Sequence, residues 1–157
     1  MIIEIVTRKV SKRLDMLSKT IIIGIGESAK RIEDSLKKHP FEGYRVVGCV
    51  DERSRVFKDK NYSKDFIVLG FLDNLREVIS KNGIQSIIIS GTEYKYYEML
   101  EILEKLKGLD VSVLIFPGFF EFSVKRTNMR EVAGIPLMQI AKKLLKNRLI
   151  CSRRNNL

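Results

Sequence analysis

The chain has few residues of the kinds that hold metal ions or cross-link small proteins. It contains two cysteines and one histidine in 157 residues. Cys49 and Cys151 lack the spacing of a metal site or a redox pair, which indicates two free thiols in a reducing cytoplasm. His39 precedes Pro40 at a predicted helix end, a position typical of a cap or of solvent exposure. The sequence therefore predicts no metal site.

Long apolar runs are also missing. No run approaches the roughly 20 residues that a membrane-spanning helix needs, and residues 1–4 do not resemble the start of a signal peptide. With 157 residues and 45% hydrophobic content, the chain fits one globular domain that is large enough for a core.

Acidic residues are scarce only at the two ends of the chain. Residues 1–19 carry a net charge of +3 and residues 141–157 a net charge of +6, whereas residues 20–140 are nearly balanced within the total of +10. A nucleic-acid-binding domain usually carries its basic stripe on the folded body, so no nucleic-acid partner is predicted. Two interpretations of the ends stay open: an anionic membrane surface and solvated lysines on helix faces.

The strongest positive signal is an apolar run that enters a glycine turn and leaves as a helical pattern. Residues 20–32 read TIIIGIGESAKRI, with the spacing G-x-G-x-x-A at Gly24, Gly26 and Ala29. Gly24 would allow the sharp turn, and Gly26 would let a diphosphate approach the backbone. Ala29 would let the helix pack closely, while free helix N–H groups face the anion. A second predicted strand ends at Asp51, where an acid would bind a ribose hydroxyl.

A wider set of residues surrounds this predicted phosphate and ribose site. Ser28 could donate to a phosphate oxygen or cap the helix, and Glu27 is expected to point into solvent because it would repel a diphosphate. Asp51 has an alternative role as a turn or cap acid. The cofactor-binding candidates are Gly24, Gly26, Glu27, Ser28, Ala29, Lys30, Asp51, Gly70, Ser90 and Gly91.

No catalytic residue is predicted. A tyrosine followed four residues later by a lysine would indicate a dehydrogenase or dehydratase, but Tyr94, Tyr96 and Tyr97 are followed at that distance by glutamate or leucine. These tyrosines are interpreted as the aromatic rim of a helix face. No phosphate loop of the G-x-x-x-x-G-K-[ST] type occurs.

Strand and helix patterns alternate along the body, which predicts an α/β fold. We expect a three-layer Rossmann-like domain over residues 20–134, with a parallel sheet of about five strands in the order 3-2-1-4-5. This order would place residues 24–30 and Ser90 with Gly91 on either side of one crevice. Residues 52–64 are expected to form a loop. A basic amphipathic helix is predicted over residues 1–19, and a basic amphipathic helix with a tail over residues 135–157.

The N-terminal helix has three open interpretations. Its apolar stripe would pack on the domain by default, pair with a second copy, or continue a membrane helix that precedes it. If the stripe pairs with a second copy, the chain forms a homo-oligomer, so a second copy of the chain is one of the expected partners.

Several segments together resemble a known family. They are the turn at 24–29, the segments GYRVVGCVD at 43–51 and VLG at 68–70, and then IIIS at 87–90, VLIFP at 113–117 and AGIPLM at 133–138. This series resembles the soluble Rossmann-like, CoA-binding-like domain of bacterial polyprenyl-phosphate sugar-1-phosphate transferases, which start surface polysaccharide assembly. A related domain precedes the catalytic part of membrane-bound nucleotide-sugar dehydratases.

The resemblance implies a nucleotide-type ligand at the inner face of the cytoplasmic membrane. A UDP-sugar, NAD, NADP or CoA would bind, and the domain would be a non-catalytic, regulatory part of a sugar-phosphate transferase, because the family's catalytic domain and membrane helices are not in this sequence. The alternatives are a structural or oligomerisation module with a vestigial crevice, and the N-terminal domain of a nucleotide-sugar dehydratase. The ligand hypothesis requires an open niche above Gly26; a side chain that fills this niche would leave only a scaffold.

Overall fold

Strands and helices alternate through the body of the chain, as the sequence predicts. The computed structural model describes residues 2–4, 16–58, 64–117 and 129–140. The strands are β1 Ser18–Ile23, β2 Tyr44–Asp51, β3 Val68–Phe71, β4 Ser86–Ser90, β5 Ser112–Phe116, β6 Met129–Val132 and β7 Ile135–Ile140. The helices are α1 Glu27–Lys38, α2 Arg53–Lys58, α3 Leu75–Asn82 and α4 Tyr96–Leu106, with short 3-10 turns at Leu72–Asn74 and Gly91–Glu93.

The strands form one mixed sheet in the order β3-β2-β1-β4-β5-β7-β6. The first five strands are parallel and keep the predicted relative order, with β1 between β2 and β4. Strands β6 and β7 extend the sheet beyond β5 and pair in antiparallel fashion. The predicted sheet of about five parallel strands is therefore wrong in its strand count and in its full order.

The prediction of a C-terminal helix that begins at residue 135 is wrong for residues 135–140. They form strand β7, in which Ile135 and Leu137 are buried and Pro136 between them is exposed, the period of two that a half-buried strand requires. Ala133 and Gly134 connect β6 to β7 with φ angles of 53° and 75°. Positive φ at both positions is the condition for a tight hairpin turn. The predicted helix beyond residue 140 lies outside the described residues.

The predicted N-terminal helix is described only in part. Residues 2–4 are helical and exposed, and residues 5–15 lie outside the described residues. Ser18 and Lys19 belong to β1 and pair with β2, so the prediction of a helix through residue 19 is wrong at its end. Strand β1 starts earlier because the β2 backbone offers it hydrogen bonds from Tyr44 onward.

The core lies on both faces of the sheet. On one face Ile21, Ile23, Ile87 and Ile89 pack with residues of α3 and α4. On the other face Ile22 and its neighbours pack under α1. Parallel strands that are covered on both faces read as continuous apolar runs, which is why the sequence predicted them.

Two connections between strands allow the predictions from local sequence patterns to be compared with the structure. Gly83 has a φ of 62° and ends α3, which confirms the predicted glycine cap. Residues 53–58 form α2, whereas the sequence predicted a loop; this helix has no buried residue, so it has no apolar period to detect. In the part of the chain that the structure describes, no helix is both long and apolar enough to cross a bilayer.

Candidate functional site

The predicted crevice lies at the carboxyl ends of β1 and β4, which are neighbours in the sheet. The turn at residues 24–26 leads from β1 into α1, and Ser90 ends β4 before the turn Gly91–Glu93. The structure therefore brings together the two segments that the sequence placed on either side of one crevice. We refer to the space above the backbone of residues 24–29 as the niche.

The carboxylate of Glu93 fills the niche. Its Oε1 accepts a hydrogen bond from the Ala29 N–H at 3.3 Å, and its Oε2 lies 3.2 Å from the Ser90 hydroxyl. The backbone amide at the start of α1 thus points into the crevice, as predicted, and the anion that it holds belongs to the chain itself. The N-terminus of a helix carries a partial positive charge, which partly offsets the cost of removing this carboxylate from water.

The two glycines of the turn make room for this carboxylate. A Cβ atom at Gly26 would lie 2.8 Å from Glu93 Oε2, and one at Gly24 would lie 2.9 Å from the same oxygen. Gly24 also has a φ of +119°, which other residues rarely adopt. Gly26 has a φ of 174°, an extended conformation open to any residue, so the close approach of Glu93 is its reason for being glycine.

Further contacts fix the segment that carries Glu93. The Thr92 hydroxyl donates to the Ser28 hydroxyl, and Arg55 of α2 donates to the Glu93 carbonyl oxygen at 2.8 Å. The Arg55 guanidinium lies 4.6 Å from the centre of the Tyr94 ring and forms an ion pair with Glu98 at 3.3 Å. Residues 92–94 are thus tied to α1 on one side and to α2 on the other.

Asp51 is fully buried and already has three donors. Its Oδ2 accepts the Ile25 N–H at 2.9 Å, and its Oδ1 accepts the Glu52 N–H and the Tyr94 hydroxyl, both at 2.7 Å. Its exposed fraction is 0%. Asp51 therefore ties the glycine turn to β2 and to Tyr94. Its predicted role as a ribose ligand stays a prediction, and because the carboxylate is shielded from solvent, a ribose hydroxyl could reach it only if a group that covers it moved.

The electrostatics of the crevice disfavour a second anion. Burial raises the pKa of Glu93, and the nearby negative charge of Asp51 raises it further, while the Ala29 N–H lowers it. Burial also raises the pKa of Asp51, against the hydrogen bonds from Tyr94, Glu52 and Ile25. The buried carboxylate of Asp51 and the half-buried carboxylate of Glu93 already lie in this space, so a diphosphate would enter a negative environment while Glu93 stays in place.

The raised pKa of Glu93 predicts a specific pH dependence of stability. We compare the free energy of unfolding of the native chain with that of Glu93→Gln. The difference is expected to change in favour of the native chain as the pH falls from neutral toward 4.5, the ordinary pKa of a glutamate. A group with a raised pKa in the folded state contributes stability below its unfolded pKa and loses it as the pH rises through the folded pKa. Urea denaturation of both chains across this range measures the difference. Parallel profiles would contradict the prediction.

The side chains of the other candidates on α1 do not enter the niche. Glu27 is exposed, as predicted. Lys30 lies 3.4 Å from both Glu33 and Asp34 in ion pairs along the helix, so its ammonium is engaged on the helix surface. Ser28 contacts Thr92 and not an open phosphate position.

Gly70 and Gly91 have packing roles. A Cβ atom at Gly70 would lie 2.6 Å from a methyl group of Val78 and 2.9 Å from the Asn74 side-chain oxygen, so this glycine lets α3 approach β3. A Cβ atom at Gly91 would lie 2.7 Å from the Phe116 carbonyl oxygen. Both glycines are explained by contacts within the fold, and their ligand roles stay predictions.

Sequence reasoning missed Glu93, which fills the niche, and the two residues that hold the segment around it, Tyr94 and Arg55. Glu93 follows the predicted strand end at Ser90, but no spacing rule distinguishes it from a surface acid. Tyr94 was grouped with Tyr96 and Tyr97 as an aromatic rim; it is buried, whereas Tyr96 and Tyr97 are exposed. Arg55 lies in the segment predicted as a loop. Among the described residues, no group of three side chains could hold a metal ion.

The architecture is shared with a solved bacterial protein. The chain is similar in structure to UDP-D-quinovosamine 4-dehydrogenase from Vibrio fischeri, with a TM-score of 0.60 and 18% sequence identity over 82% of this chain and 98% of that chain. At this identity the likeness establishes a common fold and not a common activity. No known family model matches the sequence, and no curated protein matches it. The resemblance to sugar-phosphate transferases stays a prediction.

Proposed function

We propose that this chain is a non-catalytic, Rossmann-like structural module whose nucleotide crevice is closed by its own residues. The observation that carries the proposal is the Glu93 carboxylate in the niche, held by the Ala29 N–H. A diphosphate and this carboxylate need the same amide and the same space above Gly26. The niche is therefore occupied without any ligand, and the remaining role of the domain is to support or position other parts of an assembly.

The Asp51 network supports this proposal independently of Glu93. Because Asp51 is fully buried and holds three donors inside the fold, a ribose hydroxyl could reach the carboxylate only by displacing a group that covers it, such as the Tyr94 hydroxyl. Unpaired buried donors cost roughly 1–3 kcal/mol each, so the exchange brings little net binding energy. A Rossmann-type nucleotide site needs a free amide at the start of α1 and a free acid at the end of β2. In this chain the Ala29 amide and the Asp51 carboxylate are both engaged in contacts within the fold.

A second candidate is a nucleotide- or nucleotide-sugar-sensing regulatory domain of the sugar-phosphate transferase kind. It is favoured by the α1 amide that still points into the crevice, and by the shared fold with an enzyme named for a UDP-sugar. This function requires Glu93 to leave the niche when the ligand arrives. A place at the inner face of the membrane belongs to this candidate, and the basic ends that would support it lie mostly outside the described residues.

The two candidates differ in how the native chain responds to nucleotides. We expect no change in the melting temperature with UDP, UDP-sugars, NAD, NADP or CoA in a thermal-shift assay. A ligand at about 100 times its Kd would stabilise the fold by about 2.7 kcal/mol, which raises the melting temperature by several degrees. A reproducible shift of that size with any of these compounds would overturn the structural-module proposal in favour of the sensor.

A further inference from the structure

A different polar cavity lies at the opposite end of the sheet, where the parallel strands begin. On the face covered by α1, the amino-terminal positions of three adjacent strands are serines: Ser18 of β1, Ser86 of β4 and Ser112 of β5. Ser86 pairs directly with Ser112. Two residues further along these two strands, Ile88 and Leu114 belong to the core. On β4 and β5 this face therefore changes from apolar side chains to hydroxyl groups at the same depth, and the β1 residue level with Ser86 is Thr20, whereas Ser18 lies nearer the edge of the sheet.

The hydroxyl groups are only partly engaged within the fold. The oxygens of Ser18 and Ser86 lie 2.6 Å apart, and the Gln139 amide donates to the Ser112 hydroxyl at 3.0 Å. A hydroxyl offers one donor and two acceptor positions. Among the described residues, the Ser18–Ser86 bond uses one of two hydroxyl protons, so this pair can still donate to and accept from a ligand. Ser86 itself is 3% exposed, which places a polar group at the base of the cavity.

The walls and the mouth add an aromatic ring and charges of both signs. The Arg130 guanidinium of β6 lies 5.5 Å from the centre of the Tyr44 ring and donates to the Tyr44 hydroxyl. Glu42 and Glu131 also line the cavity. Its volume is about 530 Å³, within the range of small-molecule sites, roughly 300–1,000 Å³.

The charges distinguish between ligand classes. Among the residues that the structure describes, two carboxylates and one guanidinium line the cavity, so a phosphate would meet a net negative wall. Hydroxyl, amide and carboxylate groups together provide both donors and acceptors, which matches a ligand whose own groups are hydroxyls. We propose that this cavity binds a small, neutral, polyhydroxylated molecule of the monosaccharide class, at a site separate from the closed crevice.

The test is a titration of the full-length chain followed by amide NMR, with glucose and N-acetylglucosamine as probes. We expect shifts of the Ser18, Gly43, Ser86 and Ser112 amides with a Kd of order 1–10 mM, the affinity of a small, solvent-open polar site. Gln139→Ala and Arg130→Ala are expected to weaken binding about fivefold or more, because each removes a hydrogen-bonding group from the site. Glu27→Gln, at the opposite end of the sheet, is the matched control and should leave binding unchanged.

Several outcomes would overturn the proposal. The absence of shifts up to about 50 mM sugar, well above a millimolar Kd, would exclude the site. Shifts confined to residues 24–30 would place any sugar in the crevice instead. Equal shifts with inorganic phosphate would contradict the neutral ligand class. Because the amide shifts identify which of the two sites a ligand occupies, failure of this proposal and failure of the structural-module proposal are distinguishable.

Discussion

Asp51→Ala is expected to lower the free energy of unfolding by about 3 kcal/mol, because the substitution leaves several buried donors without partners. The donors are the Ile25 and Glu52 amides and the Tyr94 hydroxyl. Part of their cost is offset, since burial of the carboxylate is itself unfavourable, as its raised pKa indicates. Urea denaturation at neutral pH measures the loss.

Tyr94→Phe is the matched control for Asp51→Ala. It removes one of the three hydrogen bonds and keeps the ring under Arg55, so a loss of about 1 kcal/mol is expected. Asp51→Asn should fall between the two, because its amide nitrogen would face a donor. A loss for Asp51→Ala no larger than that for Tyr94→Phe would show that Asp51 does not hold the glycine turn.

Glu93→Ala is expected to make the crevice accessible to a diphosphate. The substitution frees the Ala29 amide, clears the space above Gly26 and removes one of the two negative charges of the crevice, that of the half-buried Glu93. Removal of a like charge and release of a helix-terminal donor together predict UDP affinity at least about tenfold above that of the native chain. Isothermal titration calorimetry with UDP and with pyrophosphate measures the gain, and it separates the phosphate contribution from that of the nucleoside.

Glu27→Gln separates the role of the niche from a general charge effect. Glu27 lies in the first turn of the same helix but is exposed, so its neutralisation should leave UDP binding near the native level. Equal gains for both variants would mean that only net charge matters. A folded Glu93→Ala chain that does not bind UDP would show that residues other than Glu93 also close the crevice.

How far the sequence predicted the site depends on the sequence separation of the contacts. The turn at Gly24 and the amide that points into the crevice follow from a local motif, and the structure contains both. Glu93 lies 64 positions from Ala29, and Tyr94 lies 43 positions from Asp51. Spacing rules describe neighbours on one helix or strand, so they carry no information about partners this distant. The occupant of the niche could not be predicted for that reason.

The hairpin formed by β6 and β7 shows a second reason why the sequence alone does not predict the structure. Ile135 and Leu137 alternate as a strand requires, but the following leucines also fit a helical period, and the two patterns overlap over a few residues. The free edge of β5 decides between them, because it offers backbone hydrogen bonds to residues 138–140. Tertiary pairing thus overrides a local pattern that favoured a helix.

The amino-acid sequence by itself determined the alternation of strands and helices, the parallel order of the first five strands and the position of the glycine turn. The alternation and the turn follow from apolar periodicity and from glycine conformation, which act over a few residues, and the strand order follows from the small number of topologies that alternating parallel strands adopt. Only the tertiary structure decided what the turn holds, because the Glu93 carboxylate and the Ala29 amide meet across two adjacent strands. Hydrogen bonds from the Ala29 amide and the Ser90 hydroxyl hold this carboxylate against the cost of its desolvation, and no local motif specifies them.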